Sequence, residues 1–289
     1  MIVADEIRKC VAYVGLVDNH DKKHLLGTCF FVYRTFQHLV TTYHGTWCVT
    51  ARHVIEKIRA TRDEMADHDG KMFLRLNKKT GGTHEYEMSA ANDWSFHDTA
   101  AFDVAVSGIT PDLVDYDHRA YPVDGFLTEE LIERDYIGIG SELFFVGLFD
   151  QHAPESKNVP ILRVGNIAAM PEELVQTQKG PAKLYLVESR SKRGLSGSPV
   201  FTYKKPYVTE RDGKTILMTS PTRNALMGVI HGHYFEKSDD DESEVNVGIA
   251  MVTPIQAVQE ILEYPYFEDR RLEWEADIRL KHPGGPTMD

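Results

Sequence analysis

The sequence predicts an all-β protein made of two consecutive barrels or sandwiches, with a helix at the end of the second. Three observations indicate this class. About a dozen short apolar segments occur, several with period-2 alternation. They fall into two groups, separated by a stretch rich in proline and turn residues. Only two stretches have the pattern of a helix, and 289 residues suffice for two units with sizeable cores.

The elements follow in order along the chain. In the first unit, residues 1–110, strands are predicted over 10–17, 27–34, 45–51, 71–76, 84–90 and 102–109, with a short helix over 52–60. Residues 111–132 are the predicted linker. In the second unit, residues 133–263, strands are predicted over 141–149, 160–170, 182–189, 198–203, 226–234 and 246–252. A helix over 254–264 follows, with Thr253 as N-cap and Pro254 at its first position. Residues 264–289 are predicted to be a polar, partly disordered tail.

Composition narrows the functional classes. The formal net charge of −12 argues against a general nucleic-acid binder and against binding to an anionic membrane surface. We find no apolar run long enough to span a bilayer and no signal-peptide pattern. The three cysteines, Cys10, Cys29 and Cys48, predict buried free thiols in a reducing, cytoplasmic compartment. They do not cluster with histidines, so no zinc site is expected.

Three segments carry residues suited to nucleophilic catalysis. In "RGLSGSPVF" (193–201), Ser196 stands between Gly194 and Gly197, which suggests a tight turn with an exposed hydroxyl. A serine hydroxyl is a weak nucleophile and needs a base that a third group orients. His53 lies where a predicted strand meets a helix. Asp103 is flanked by apolar residues, so its carboxylate should need a hydrogen-bonded partner.

These segments resemble those of the chymotrypsin-like serine peptidases. "TARHV" (50–54) is similar to the family's histidine motif, "FDVAV" (102–106) to its aspartate strand, and "GLSGSP" (194–199) to its serine loop. His53, Asp103 and Ser196 follow in the family's order, at intervals of 50 and 93 residues. Further strands resemble the HtrA-type protease domain, so the likeness covers roughly residues 10–263, without a PDZ-like segment after them.

The resemblance implies two six-stranded β-barrels, a C-terminal helix, and the activity of a serine endopeptidase. Ser196 would attack the peptide carbonyl, His53 would act as general base, and Asp103 would orient the imidazole. The backbone N–H groups of Gly194 and Ser196 would form the oxyanion hole. The expected partner is a protein or peptide substrate, and neither a cofactor nor a metal is implied.

Other residues near the motifs are weaker candidates. His97 and Asp98 lie close to Asp103 in the sequence, but Asp98 precedes the apolar segment. His44, His231 and His233 are weaker candidates for the base, because none has the sequence context of the family's histidine.

The chain also departs from the family. Ser198 stands where the motif has glycine. Leu195 replaces the aspartate that, in secreted members, pairs with a newly cleaved amino terminus, so we expect activity without N-terminal cleavage. The rival function is a catalytically silent peptide-binding or scaffold protein, and an activating partner of unknown identity stays open.

The substrate pocket is predicted from the segments on either side of the serine loop. The resemblance places Arg190 at the pocket floor and His231, Gly232 and His233 along its wall. Arg190 could pair with an acidic side chain, or it could face solvent. His231 could instead form a hydrogen bond with Asp103. A small or apolar preference before the cut stays open as well. A lysine or arginine preference is not expected, because the floor position carries no carboxylate.

Overall fold

A computed structural model describes residues 3–64, 71–88, 94–108, 111–149, 153–154, 156–189, 195–203, 207–211, 214–218, 224–237 and 244–282. Within them the chain forms a large sheet followed by a closed barrel, and helices cover part of each. None of the helices in this described part has the length and apolar character needed to cross a membrane.

The N-terminal half forms one eight-stranded sheet. Its strands are β1 (Val11–Val17), β2 (Lys23–His38), β3 (Thr41–Thr50), β4 (Lys71–Asn77), β5 (Thr83–Glu87), β6 (Ser95–Phe96), β7 (Ala105–Ser107) and β8 (Tyr121–Pro122). The order is β5-β4-β1-β2-β3-β7-β6, and β8 pairs with β2. This half therefore differs in detail from the predicted six-stranded barrel: it has two more strands, and its edge strands β5 and β6 are not paired with each other within the described residues. The additional strands, β6 and β8, have two residues each, too few to produce a recognisable alternation.

The C-terminal half contains the predicted six-stranded closed barrel. Its order is β10-β13-β18-β17-β14-β9, closed by pairing of β9 with β10. The barrel strands are β9 (Glu142–Gly147), β10 (Ile161–Ala169), β13 (Tyr185–Glu188), β14 (Pro199–Thr202), β17 (Leu226–Lys237) and β18 (Glu244–Pro254). Two hairpins accompany it, formed by β11 (Leu174–Thr177) with β12 (Gly180–Lys183) and by β15 (Tyr207–Arg211) with β16 (Lys214–Met218).

Strand β2 separates two parts of the hydrophobic core. Successive strand side chains point to opposite faces. Phe30 and Val32 accordingly join a large cluster shared with the C-terminal barrel, and Cys29 and Phe31 join a second cluster beneath a helix of the N-terminal half. This explains why the segment is apolar at every position and not only at alternate ones. The three cysteines are buried and free, as the sequence predicts.

Five α-helices occur among the described residues. They are α1 (Asp5–Arg8), α2 (Arg52–Asp63), α3 (Glu129–Arg134), α4 (Gln256–Leu262) and α5 (Pro265–Lys281). Helix α2 agrees with the prediction over 52–60 and continues for three more residues. It buries Val54, Ile55 and Ile58 on one face against the second cluster. The predicted linker, 111–132, contains β8, a 3-10 helix (Val123–Gly125) and the start of α3.

Two predictions at the C-terminal end are wrong. Thr253 is not an N-cap and Pro254 does not begin the helix. Both belong to β18, where Thr253 pairs with Val229 and Pro254 with Gly228. Pairing with β17 therefore overrides the local capping pattern, and the helix starts at Gln256. The predicted tail forms helix α5 over Pro265–Lys281, so partial disorder is wrong for these residues; 283–289 lie outside the described part.

Helix α5 is stabilised by few contacts, and these do not produce a recognisable helical pattern in the sequence. Proline begins it at its first position, where a backbone N–H is not needed. Only Phe267 and Ile278 are fully buried. Arg271 forms ion pairs with Glu268 and Glu275, one turn away on either side. Such a helix has no continuous apolar stripe, which is why its sequence is typical of a polar tail.

Candidate active site

His53 and Asp103 pair at two points. His53 stands in the first turn of α2, and its side chain is partly exposed. Asp103 lies two residues before β7 and its side chain is buried. Its Oδ2 lies 2.5 Å from His53 Nδ1, and its Oδ1 accepts the backbone N–H of His53 at 2.7 Å. That N–H belongs to the first helical turn, where no intrahelical acceptor is available. The carboxylate therefore holds both the imidazole and the start of the helix.

The electrostatics keep Asp103 ionised. Burial raises the pKa of its carboxyl group, but the hydrogen bond from His53 and the electrostatic attraction of the His53 and His231 imidazoles outweigh burial, so the pKa lies below its usual value. An ionised carboxylate can only accept, so Nδ1 of His53 must carry a proton. In the neutral ring, Nε2 is then the nitrogen with a free lone pair, the form in which histidine accepts a proton.

The turn that carries Ser196 is tied to both halves of the molecule. The backbone N–H of Thr28 in β2 donates to Ser196 O at 3.0 Å. On the other side, Gly197 N–H donates to Ile230 O and Ile230 N–H donates to Ser198 O, both at 2.9 Å. Ser196 itself is partly exposed. The serine thus stands on a turn held between the N-terminal sheet and the C-terminal barrel.

Gly197 lets this turn approach the start of α2. Its φ is 84°, in the region that favours glycine. A Cβ there would overlap the carbonyl oxygen of Thr28 and Oγ1 of Thr50, and would lie 2.9 Å from the backbone nitrogen of Ala51. Thr50 Oγ1 donates to Thr28 O at 2.7 Å. The turn therefore packs on the junction of β3 and α2, two residues before His53, and the sequence did not indicate this role for Thr50.

Ser198 stands where the motif has glycine, and the structure shows where its side chain fits. Ser198 is fully buried, and its hydroxyl has no hydrogen-bond partner among the described residues. A Cβ at Gly147 in β9 would overlap Ser198 Oγ and lie 2.6 Å from Leu195 Cδ2. Gly147 therefore provides the space that the additional side chain fills. Leu195 is likewise buried in the large core cluster, in agreement with an apolar residue at this position.

The weaker candidates for the triad histidine and aspartate interact with other residues. His97 Nε2 is 2.6 Å from Glu260 Oε2 in α4, and its Nδ1 accepts the backbone N–H of Thr99. Asp98 is exposed, and its N–H donates to Tyr264 Oη. His44 packs edge-on against Tyr33. No group of three or more His, Cys, Asp or Glu side chains is arranged to hold a metal within the described ranges.

The pocket residues are only partly described. Arg190 and Gly194 lie outside the described residues, as does the side chain of His233, whose backbone pairs with Ala250. The roles of Gly194 and Ser196 as oxyanion donors therefore stay predictions. Gly232 is partly exposed and pairs with Met251. Its predicted role along the pocket wall, and that of His231, also stay predictions.

His231 stands beside the candidate triad. Its Nε2 is 3.9 Å from Asp103 Oδ2, and its side chain is largely buried. The sequence left two roles open for His231, a residue of the pocket wall or a hydrogen-bond partner of Asp103. The structure places it beside Asp103, at a distance longer than a hydrogen bond.

Comparison with known proteins supports the fold. No protein-family model matches the chain, and no curated protein matches it. The apo structure of the MamO protease domain from Magnetospirillum magneticum is 11% identical, covers 89% of this chain and 98% of that one, and has a TM-score of 0.50. Human heparin-binding protein is 8% identical, covers 99% and 98%, and has a TM-score of 0.47. At 11% identity the likeness to the MamO protease domain shows fold alone, and the fold is the chymotrypsin-like one that the motifs predict.

Proposed function

We propose that this protein is a serine endopeptidase that cleaves protein or peptide substrates through an acyl-enzyme. The observation that carries the proposal is the two-point pairing of His53 with buried Asp103, on a helix whose start packs against the Ser196 turn. A buried ionised carboxylate that orients an accessible imidazole beside a serine turn is the arrangement that nucleophilic acyl transfer needs.

Each residue has one task in the proposed reaction. His53 Nε2 takes the proton of Ser196 Oγ as that oxygen bonds to the carbonyl carbon, and later gives the proton to the leaving amine. Asp103 keeps the other ring nitrogen protonated and stabilises the imidazolium. Water, activated by the same imidazole, then releases the acyl group and restores Ser196.

The oxyanion of the tetrahedral intermediate would be stabilised by the backbone N–H groups of Gly194 and Ser196. The support within the described residues is the positive φ of Gly197 and the two backbone hydrogen bonds that fix the turn to Ile230. A turn held this firmly does not need to reorganise when charge develops. Loss of one such donor typically lowers the rate by about 10²–10³-fold.

A fluorophosphonate probe tests the proposal, because it phosphonylates only an activated serine. We expect labelling of the wild-type protein and none of Ser196→Ala. Ser198→Ala is the matched control: this serine is two residues away and buried, so its loss should leave labelling intact. Labelling that survives in Ser196→Ala contradicts the assignment. A folded wild-type protein that binds peptides but is never labelled supports the rival function, a catalytically silent peptide-binding protein.

A peptide panel that varies only the residue before the cut tests the pocket. We propose cleavage after small, apolar or acidic residues, because the predicted floor residue is Arg190 and not a carboxylate. Strongest cleavage after lysine or arginine would show that this view of the pocket is wrong. Arg190→Ala is the informative variant: it should weaken an acidic preference specifically.

A further inference from the structure

His231 is turned toward Asp103 by a β-bulge. In the pairing of β17 with β18, Ile230 faces Val252 and the next pair is Gly232 with Met251, so His231 is one additional residue in its strand. A bulge of this kind bends the strand and redirects a side chain. Ile230, immediately before the bulge, accepts from and donates to the Ser196 turn. One strand therefore both anchors the serine turn and carries a second imidazole to the aspartate.

The surroundings of His231 select one form of its ring. Nε2 faces Asp103 Oδ2 at 3.9 Å, beyond hydrogen-bond length but close enough for a strong charge–dipole interaction. Nδ1 is buried without a hydrogen-bond partner in the described part of the chain. A proton on Nδ1 would be a buried donor with no acceptor, whereas a proton on Nε2 points to the carboxylate. The favoured form is neutral, with its proton on Nε2.

The charged groups around the ring agree with a neutral imidazole. Burial lowers the pKa of His231, Asp103 raises it, and His53 and Lys179 lower it further, so the pKa lies below its usual value. These neighbours come from helix α2, the segment before β7 and the β11–β12 hairpin. Lys179 forms an ion pair with Glu56 of α2, which holds that hairpin next to the site.

We propose that His231 is a positioning residue whose neutral Nε2–H group polarises the Asp103 carboxylate and thereby sets the basicity of His53. The inference rests on the proposed function, since it concerns the same triad. Both imidazoles face the same carboxylate oxygen, Oδ2, although only His53 is within hydrogen-bond distance of it. The positive end of the His231 dipole therefore competes with the His53 imidazolium for the same negative charge. His231 therefore makes His53 easier to deprotonate, which keeps the general base in its active form at a lower pH.

The test compares two substitutions that fill similar space. His231→Leu removes the donor, and His231→Gln retains an N–H near the position of Nε2. We expect the His53 titration midpoint to rise by roughly half a pH unit in His231→Leu, because that variant removes a partial positive charge about 4 Å from the carboxylate. In His231→Gln the midpoint should stay close to that of the wild-type protein. NMR of isotope-labelled histidine follows this midpoint. Unchanged midpoints in both variants, or equal shifts in both, overturn the proposal.

One further measurement tests the proposal on the wild-type protein. The nitrogen chemical shifts of His231 in the wild-type protein report its form without any substitution, so misfolding of a variant does not affect them. A neutral ring protonated on Nε2 at pH 7 supports the proposal, and a ring protonated on Nδ1, or on both nitrogens, overturns it. The NMR readouts do not need turnover, so failure of fluorophosphonate labelling would reject the proposed function without deciding the role of His231.

Discussion

Replacement of Gly197 by alanine tests how the Ser196 turn is held. Alanine at a φ of 84° adopts a left-handed conformation that costs about 1–2 kcal/mol. Its Cβ would overlap the Thr28 carbonyl oxygen and the Thr50 hydroxyl, and would lie 2.9 Å from the backbone nitrogen of Ala51. Two of these atoms are backbone and cannot rotate away, so the overlap should cost a further 1–3 kcal/mol or so. Restriction of the unfolded chain returns about 0.4–1 kcal/mol. The expected net loss is about 2–4 kcal/mol.

Gly81→Ala is the matched control for this loss. Gly81 also has a positive φ, 92°, but an added Cβ would meet no atom within 4 Å. It therefore carries the conformational cost without the overlap, and we expect a destabilisation of about 0–1.6 kcal/mol. Gly138→Ala, which likewise meets open space and lacks the positive φ, supplies the baseline. The difference between Gly197→Ala and Gly81→Ala isolates the contact of the serine turn with the start of α2.

Urea unfolding of the three variants measures these differences through their midpoints, provided that the slopes agree. Fluorophosphonate labelling under native conditions gives the functional counterpart, and it should fall in Gly197→Ala because the turn must move away from His53. If Gly197→Ala is no more destabilising than Gly81→Ala, the close packing of the turn on Thr28 and Ala51 is incorrect.

Three further predictions concern the site and the core. Asp103→Asn should keep the fold but lower the labelling rate by about 10⁴-fold, since an amide N–H facing His53 Nδ1 selects the wrong ring form; labelling within tenfold of wild type contradicts this. Gly147→Ala should lower the free energy of unfolding by about 1–3 kcal/mol, and combining it with Ser198→Gly should recover part of that loss in urea unfolding; no recovery would contradict the contact. Lowering the pH from 7.5 to 5.5 should reduce stability, because burial lowers the pKa of His118 in the folded state and unfolding then takes up a proton. The pH dependence of the urea midpoint should shrink in His118→Gln but not in the exposed control His20→Gln.

The strands and the order of the candidate triad could be predicted because they depend on local patterns. The segment from Cys29 to Val32 is apolar at every position, which indicates a strand buried on both faces, and its two faces do join different clusters. Gly197 could be recognised as a turn residue for a similarly local reason, since only glycine accepts its φ without strain.

The end of the second barrel could not be predicted in the same way. Thr253 followed by Pro254 is a good local signal for a helix start, but the pairing of β18 with β17 continues through both residues. The strand pairing outweighs one capping interaction there. Helix α5, in contrast, could not be predicted because its local helix signal is weak. It buries only two side chains and depends on ion pairs such as Arg271 with Glu275, which polar tails also contain.

The surroundings of the triad depend on register, which belongs to two strands together and cannot be deduced from either alone. Side chains alternate along a strand, so the sequence places His231 and His233 on one face and leaves their roles undecided between them. The bulge breaks this alternation at His231, because the pairing moves from Ile230–Val252 directly to Gly232–Met251. As a result His231 faces Asp103 and does not continue the regular pattern of β17. The sequence allows His231 to lie near Asp103, but it is the pairing of β17 with β18 that places it there.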